Sequence, residues 1–368
     1  MIIPVLPGYL TSLGGPEYKG LIIALFTITA LISRPFSGKL ADKIGRIPVI
    51  MFGAAVCIIC SLLYPILSSV AGLLWLRLFH GFSTGFTPTG ETAYLADIIP
   101  AERRGEGMGI MGTANSVGMA GGTALGGWLE HLVNIEAVFY TSSALAVVSV
   151  LVITGRKETL QHRQRIKLEH FKIKRSDLFE PRVFAPALVM LFGAYAYGAV
   201  ITLIPDFSLM VGVKNAGLLL TYFTISSLAV RLIAGKASDR WGRKPVLFFS
   251  VMAIVAAMVL MATSVTRSQL IISVVLYGLA QGTTSPTLLA WATDLSDPIH
   301  KGRGVSSLYV FMELGIGLGA FLSGLLYANK NENFFLTFMV CGVLAMAGLV
   351  FLVFERSSRR YASATIER

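Results

Sequence analysis

The chain has 368 residues, of which 54% are hydrophobic and only 14% are charged, and its mean hydropathy is +0.70. About one quarter of the residues of a soluble globular protein are charged, so this composition excludes an ordinary soluble domain. Apolar stretches long enough to cross a bilayer as a helix recur along the whole chain. Because they are long and unbroken, they predict transmembrane helices and not the short alternating strands of a barrel. The predicted fold class is an all-α polytopic membrane protein.

The apolar segments predict twelve helices, the first of them truncated at the N-terminus. The stretch from Met1 to about Leu13 is too short to cross a bilayer. Its counterpart in the second half ends at Asp206 and is preceded by about twenty further apolar residues. The eleven full spans are expected at about 19–38, 48–67, 71–98, 105–129, 134–154, 183–211, 216–235, 245–264, 268–294, 304–328 and 333–354.

One long polar segment divides the chain. Residues 156–182 form a basic linker between two six-helix halves, residues 1–155 and 183–355, and residues 356–368 form a tail. The side of the membrane with the linker and tail carries 24 lysines and arginines, and the opposite side carries four. The positive-inside rule therefore places the linker and the C-terminus in the cytoplasm of a cell (inner) membrane protein. The net charge of +11 reflects this topology and contact with the lipid bilayer, and no nucleic-acid partner is expected.

A polar motif occurs twice, with its two copies 197 residues apart. The first copy consists of Gly38, Asp42, Lys43, Gly45 and Arg46. The second copy consists of Gly235, Asp239, Arg240, Gly242 and Arg243. An arginine precedes each copy by four residues, Arg34 and Arg231. The repeat indicates two halves of the same layout and orientation.

On these motifs the chain resembles the major facilitator superfamily, whose pattern between spans two and three is Gly-x-x-x-Asp-Lys/Arg-x-Gly-Arg. The resemblance covers nearly the whole chain and departs from the pattern at Ile47, where the family usually has a second basic residue. It implies a secondary active transporter whose two six-helix halves are related by a pseudo-two-fold axis and alternate in access.

The resemblance also implies that both copies, with Arg34, Arg231 and Asp97, form a conformational latch on the cytoplasmic side. We expect Asp42 to bond Arg46 or to lie at the N-terminus of a neighbouring helix, where negative charge is favoured. We also expect Arg34 to reach Asp97 at the end of span four. The alternative is that these charges only fix the topology.

Span four contains Arg77-x-x-His80-Gly81, which resembles the second motif of the family, Arg-x-x-Gln-Gly, with histidine in place of glutamine. An arginine this far inside a span is costly and usually functional, and the resemblance implies a role in proton coupling. An imidazole can itself carry a proton. The alternative is that Arg77 extends to the outer interface.

Two acidic residues lie inside spans, Glu91 in span four and Glu313 near the middle of span eleven. A carboxylate in hydrocarbon is costly as an anion and therefore binds a proton near neutral pH. Together with Arg77 and His80, these acids are the candidate proton-coupling residues. The alternative for each is a structural partner of a hydroxyl or backbone group.

Glycines recur at helical spacing in spans five and eleven. Gly118, Gly122, Gly126 and Gly127 resemble the antiporter motif of the family, with Thr123 in place of proline, and in the family this motif marks exporters. Small residues at this spacing allow two helices to approach closely. Close packing is expected at these positions and at Gly315, Gly319 and Gly324. Ordinary helix packing is the alternative to an export-specific role.

Tyrosine and glutamine side chains within spans predict the wall of a substrate cavity, because they stack on and hydrogen-bond an amphipathic ligand. The candidates are Tyr9, Tyr195, Tyr197, Tyr222, Gln281 and Tyr309. The alternative for each is a packing role.

The resemblance favours proton-coupled export of small amphipathic molecules by a monomer, as in twelve-span drug/proton antiporters. One alternative is a proton-coupled importer of a sugar or organic anion, with Arg77 binding the anion. Another is a non-transporting sensor or scaffold, suggested by the short first helix. The sequence contains no P-loop, metal-ligand cluster or catalytic triad. No enzyme activity, cofactor or metal is therefore expected.

Overall fold

A computed structural model describes residues 1–3, 5–213, 216–328 and 330–355 of the chain. The predicted tail, residues 356–368, lies outside this part. The described residues form helices, most of them joined by short connections, with no strand among them. The prediction of an all-α fold is confirmed.

Twelve helices of seven residues or more lie in the described part of the chain, and one further helical turn lies in the linker at Arg175–Leu178. They are α1 Leu6–Ser12, α2 Lys19–Lys43, α3 Arg46–Leu63, α4 Val70–Ile98, α5 Arg104–Leu132, α6 Ile135–Thr154, α7 Phe184–Met210, α8 Ala216–Trp241, α9 Arg243–Ala262, α10 Arg267–Leu295, α11 Lys301–Tyr327 and α12 Asn333–Phe354. Eight helices in this part are long and apolar enough to cross a membrane by length and composition alone. The others are α1, which is short, and α4, α5 and α10, each of 29 residues.

The polar motif is helical, although the predicted spans place it in loops. Helix α2 continues to Lys43 and α8 continues to Trp241, several residues beyond the predicted ends at 38 and 235. The turns are reduced to a glycine and its neighbour, with φ of 133° at Gly45 and 90° at Gly242. Only glycine adopts such angles without strain. The helices extend because partners from elsewhere in the chain satisfy their charged side chains, as described below.

The first unit comprises residues 1–98, 114–180 and 298–307. In it α2 packs along α4, and α3 packs against both α4 and α6. Its apolar core includes Leu6, Leu10, Leu73 and Phe139. Helices α2 and α4 approach closely at Gly81, where an added Cβ would lie 2.8 Å from the Thr29 Cβ.

The second unit comprises residues 99–113, residues 181–297 and the chain from Leu308 onward. In it α8 packs along α10, and α9 packs against α10 and α12. Its core includes Phe207, Ile254, Phe334 and Phe338. The first turns of α5 thus lie in the second unit and those of α11 in the first. The predicted division into halves at residues 155 and 183 stays a prediction.

Candidate functional site

The first copy of the motif binds the beginning of α11. The Asp42 carboxylate accepts hydrogen bonds from the backbone N–H groups of Gly302 (2.7 Å) and Arg303 (2.8 Å). The first N–H groups of a helix have no partner within the helix and carry its positive dipole end, so a carboxylate satisfies both needs. Arg46 Nη1 lies 2.8 Å from the same carboxylate, and both side chains are buried.

Arg46 joins this cap to the end of α4. Its Nε donates to Asp97 Oδ2 (3.0 Å), and its Nη1 donates to the Ala41 carbonyl oxygen (2.5 Å). Asp97 also accepts from Lys301 Nζ (2.9 Å) and from the Thr159 hydroxyl (2.8 Å). The buried guanidinium is therefore held by two carboxylates and a carbonyl group, as a buried charge requires.

The expected pairing of Arg34 with Asp97 is wrong. Arg34 is buried and donates from Nη1 to the Thr89 hydroxyl (3.2 Å). Asp97 lies eight residues beyond Thr89 on α4, or about 12 Å along the helix. Arg46, Lys301 and Thr159 are its partners instead.

Gly38 allows α2 to approach the first turns of α11. A Cβ at Gly38 would lie 2.7 Å from the Ser306 Cβ and 2.9 Å from the Gly302 carbonyl oxygen. Lys43 is half-buried and has no ion pair among the described residues.

The linker supplies contacts that the sequence patterns did not reveal. Glu158 accepts from the backbone N–H groups of Arg46 (2.9 Å) and Ile47 (3.0 Å) and so caps α3. Glu180 pairs with Arg303. The 197-residue repeat offered a signal for Glu158, since its counterpart Glu355 pairs with Lys244 beside the second copy. The irregular linker has no local periodicity that predicts where Glu180 docks.

Asp177 of the linker pairs with Lys39 at 2.8 Å. Burial raises the pKa of Asp177. The hydrogen bonds from Lys39 and the Lys174 backbone, with the charges of Lys39 and Arg303, nevertheless hold this pKa below its usual range. The carboxylate is therefore ionised at neutral pH.

The second copy of the motif repeats the arrangement at the beginning of α5. Asp239 accepts from the backbone N–H groups of Gly105 (2.7 Å) and Glu106 (2.8 Å) and lies 2.5 Å from Arg243 Nη1. Arg243 Nε donates to Asp294 (2.9 Å), which also pairs with Arg104 (2.8 Å). Asp294 and Arg104 stand 197 residues from Asp97 and Lys301, respectively, so the repeat extends to the partners.

The other residues of the second copy have different surroundings. Gly235 allows the α8 backbone to approach Gly105, whose carbonyl carbon would lie 2.8 Å from an added Cβ. Arg231 is half-buried, and its Nε donates to the Ser227 hydroxyl (3.3 Å). Arg240 is exposed and forms no ion pair within the described part of the chain.

Arg77 lies inside the first unit, away from solvent. Its Nε donates to the Ile22 carbonyl oxygen (3.0 Å), and its guanidinium carbon lies 4.3 Å from the centre of the Phe26 ring. Only 2% of the residue is exposed. The Arg77 side chain is therefore enclosed by protein groups.

Tyr64 at the end of α3 connects Arg77 to His80. Its hydroxyl lies 3.5 Å from Arg77 Nη1 and 3.2 Å from His80 Nδ1. Tyr9 donates from its hydroxyl to the Tyr64 carbonyl oxygen (3.1 Å). The structure thus joins Arg77, His80 and Tyr9 through a residue that the sequence analysis did not select. One tyrosine among several at helix ends offers no distinguishing signal.

Of the two acidic candidates, Glu91 lies apart from this cluster. Glu91 is eleven residues beyond His80 on α4, or about 16 Å along the helix. It is half-buried and makes no hydrogen bond among the described residues. Glu313 is half-buried in α11 of the second unit.

Most of the predicted cavity residues lie in the second unit. Gln281 Nε2 donates to the Gly193 carbonyl oxygen (3.0 Å) and to the Tyr277 hydroxyl (2.8 Å). Tyr277 was missed, although it stands 197 residues from His80 and so occupies the equivalent position of the repeat.

The tyrosine candidates differ in their surroundings. Tyr195 belongs to the apolar core, which corresponds to the packing alternative. Tyr197 packs against Phe223, Tyr309 is buried, and Tyr222 is 38% exposed.

The predicted glycine packing is found at some positions and not at others. An added Cβ would lie 2.8 Å from the Ala194 Cβ at Gly315, and 2.8 Å from the Tyr195 carbonyl carbon at Gly319. Cβ atoms at Gly122 and Gly126 would contact Met1. The expectation of close packing is corrected for Gly118, Gly127 and Gly324, where an added Cβ meets no atom within 4 Å in the described structure.

Comparisons with known proteins agree with this architecture. The sequence model of the Major Facilitator Superfamily matches residues 1–214 and 208–368. Multidrug resistance protein 2 of Bacillus subtilis (strain 168) is 27% identical over 99% of this chain and 93% of its own length. The multi-drug resistance efflux pump PmrA of Streptococcus pneumoniae serotype 4 is 27% identical over 87% of this chain and 82% of its own. The human organic anion transporter MFSD10 shares the fold, with a TM-score of 0.81 and 17% identity over 95% of this chain and 94% of that one.

Proposed function

The chain belongs to the Major Facilitator Superfamily, and from this premise we propose that it exports small amphipathic molecules across the cell membrane in exchange for protons. It is a multi-pass membrane transporter and not an enzyme. The observation that carries the proposal of export is the similarity, along nearly the whole chain, to a protein named for multidrug resistance.

The conformational latch in this proposal consists of the two copies of the motif with Arg34, Arg231 and Asp97. Asp42 and Asp239 each hold the first N–H groups of a helix that belongs, by its place in the chain, to the opposite six-helix half. Alternating access requires such contacts to form in one state and break in another. The ion pairs with Arg46 and Arg243 position both carboxylates for this role.

Proton coupling is assigned in this proposal to Arg77, His80, Glu91 and Glu313. The contacts of Tyr64 with Arg77 and His80 support the first two, because they connect ionisable groups through a hydroxyl that donates and accepts. Glu91 makes no hydrogen bond among the described residues, and this supports a carboxyl group that is available to exchange a proton. One proton that crosses 100 mV of membrane potential provides about 2.3 kcal/mol.

The orientation and partners are part of the same proposal. The excess of lysine and arginine on one side supports a cytoplasmic linker and tail. The transporter acts as a monomer in the lipid bilayer. Gln281 and the exposed Tyr222 are the cavity candidates that remain most available to a ligand, since Tyr195 is part of the core.

Transport of ethidium into proteoliposomes tests the coupling. We expect an imposed pH gradient to drive uptake by the wild type, and we expect E313Q and E91Q to lose most of this dependence, because an amide cannot exchange the proton. The matched control is E169Q, which changes an exposed glutamate of the linker and is expected to transport like the wild type. Uptake that ignores the pH gradient, or that both variants retain in full, contradicts the proposal.

A further inference from the structure

A cavity of about 290 Å³ lies in the first unit beside the first copy of the motif, and Asp42 and Lys43 of that copy are part of its wall. The residues that line it are Lys39, Asp42, Lys43, Lys174, Asp177, His300 and Arg303. We propose that this cavity, the basic pocket, binds a phosphate group. The proposal goes beyond the proposed export function and does not depend on the direction of transport.

The charges of the basic pocket favour an anion. Its wall contains four permanent cations and two carboxylates. Both carboxylates already have partners, since Asp42 is bonded to Arg46 and to the start of α11, and Asp177 is bonded to Lys39. An excess of two positive charges therefore remains on the wall.

Two lysines supply the donors for this anion. Lys43 and Lys174 form no ion pair among the described residues, and each ammonium group has three N–H donors. Lys39 is bonded to Asp177, and Arg303 is bonded to Glu180. These two cations therefore raise the electrostatic potential of the pocket, but several of their N–H donors are already used. A bound anion is thus expected to lie towards Lys43 and Lys174, away from the Asp42 carboxylate.

The size and position of the basic pocket indicate a phosphate ester. Cavities for drug-sized ligands have about 300 to 1,000 Å³, so 290 Å³ admits a phosphate group with a small substituent. Lysine ammonium groups are common phosphate ligands because they are compact point charges. Anionic lipid headgroups carry this group at the surface of the cytoplasmic leaflet, and soluble phosphate esters carry it in the cytoplasm.

Two binding experiments on the purified full chain test the proposal and separate the two sources. In detergent, isothermal titration calorimetry measures the binding of glycerol 3-phosphate. In nanodiscs, native mass spectrometry counts the phosphatidylglycerol molecules retained from mixtures with phosphatidylcholine. Saturable binding in both arms, or in only one of them, supports the pocket and identifies which source supplies the phosphate.

Variants assign the binding to the basic pocket. We expect the double variant K43Q/K174Q to weaken binding at least about tenfold, since hydrogen bonds to charged groups are lost. The matched control R156Q/K167Q removes two charges from the same linker outside the pocket and is expected to change affinity less than about twofold. K43R/K174R keeps both charges and is expected to bind like the wild type. Such binding would show that the fold tolerates substitution at these positions, so that weak binding by K43Q/K174Q reflects the lost charges.

Two results would overturn the proposal. The first is an equal affinity of K43Q/K174Q and R156Q/K167Q in both arms, because the charge would then act from any position. The second is the absence of saturable binding by the wild type in both arms. Neither result bears on proton-driven export, which the transport measurements test separately.

Discussion

The two copies of the motif make the same bonds in different surroundings. In each, an aspartate caps a helix with two N–H contacts of 2.7 and 2.8 Å and pairs with the arginine four residues later. In the first copy the side chains of Asp42 and Arg46 are 2% and 1% exposed, but those of Asp239 and Arg243 are 10% and 12% exposed. The two copies therefore have equivalent bonds, but water has more access to the second copy than to the first.

The linker accounts for much of this difference. Glu158 covers the turn at Gly45 and caps α3, and Thr159 completes the coordination of Asp97. At the second copy, Lys244 instead extends to Glu355 at the end of α12. Because water screens charges and replaces lost hydrogen bonds, the same substitution should cost more in the first copy.

The largest effect is expected from removal of the buried aspartate. D42A leaves Arg46 and two helix N–H groups without their acceptor, and we expect the free energy of unfolding to fall by about 3 to 5 kcal/mol. D239A should cost about 1 to 3 kcal/mol, because water reaches the partly exposed Arg243. The measurement is unfolding of the purified protein in mixed micelles. Equal losses in the two variants would contradict the asymmetry.

The glycines of the two copies should not share this asymmetry. G235A places a Cβ against the Gly105 backbone, and G38A places one 2.7 Å from the Ser306 Cβ and 2.9 Å from the Gly302 carbonyl oxygen. Because backbone contacts are made at both positions, we expect each variant to cost about 1 to 3 kcal/mol of stability. G155A is the matched control, because its Cβ would meet no described atom within 4 Å. A loss in G38A or G235A no larger than that in G155A would contradict the close approach at that copy.

Loss of the linker cap should make the first copy resemble the second. E158Q removes the negative charge at the start of α3, and we expect a loss of about 1 kcal/mol of stability. The same unfolding measurement applies. E169Q, which changes a glutamate whose side chain is 65% exposed, should have almost no effect. If both variants behave alike, the linker does not support the first copy through Glu158.

The smallest effect is expected at Asp177. Its lowered pKa means that the charged form is favoured in the folded protein. Its contribution is therefore complete above the ordinary aspartate pKa of about 3.9 and is lost as the pH falls through the lowered value. We expect D177N to cost under about 1 kcal/mol at pH 7, and the same amount at pH 5. A loss at pH 7 that disappears by pH 5 would contradict this assignment.

Much of the fold could be predicted from the sequence, because long apolar runs identify membrane helices. The ends of α2 and α8 could not be predicted in this way. Charged residues after Gly38 indicate a loop when only the local pattern is considered. Asp42 nevertheless continues α2 and Arg46 begins α3, because Gly302 and Asp97 satisfy their charges. Partners more than fifty residues away leave no local signal.

The candidate site was predictable in its repeated part. The 197-residue repeat identified Asp42 and Asp239, and the same offset would have identified Tyr277 from His80. Arg34 does not pair with Asp97 because it binds Thr89, which lies about 12 Å before Asp97 along α4. Glu158 stands 197 residues before Glu355, so the same offset pairs it with a glutamate beside the second copy, although only the structure shows that Glu158 caps α3.

The most direct test of the account is to reverse the pH gradient across the same proteoliposomes while ethidium accumulation is followed. Ethidium is permanently charged, so it is not trapped in an acidic lumen as a weak base would be. Proton-coupled export predicts accumulation on the acidic side, whichever side that is, and none in liposomes without protein. Accumulation on the alkaline side, as a symporter would produce, or accumulation that does not follow the gradient, would contradict it.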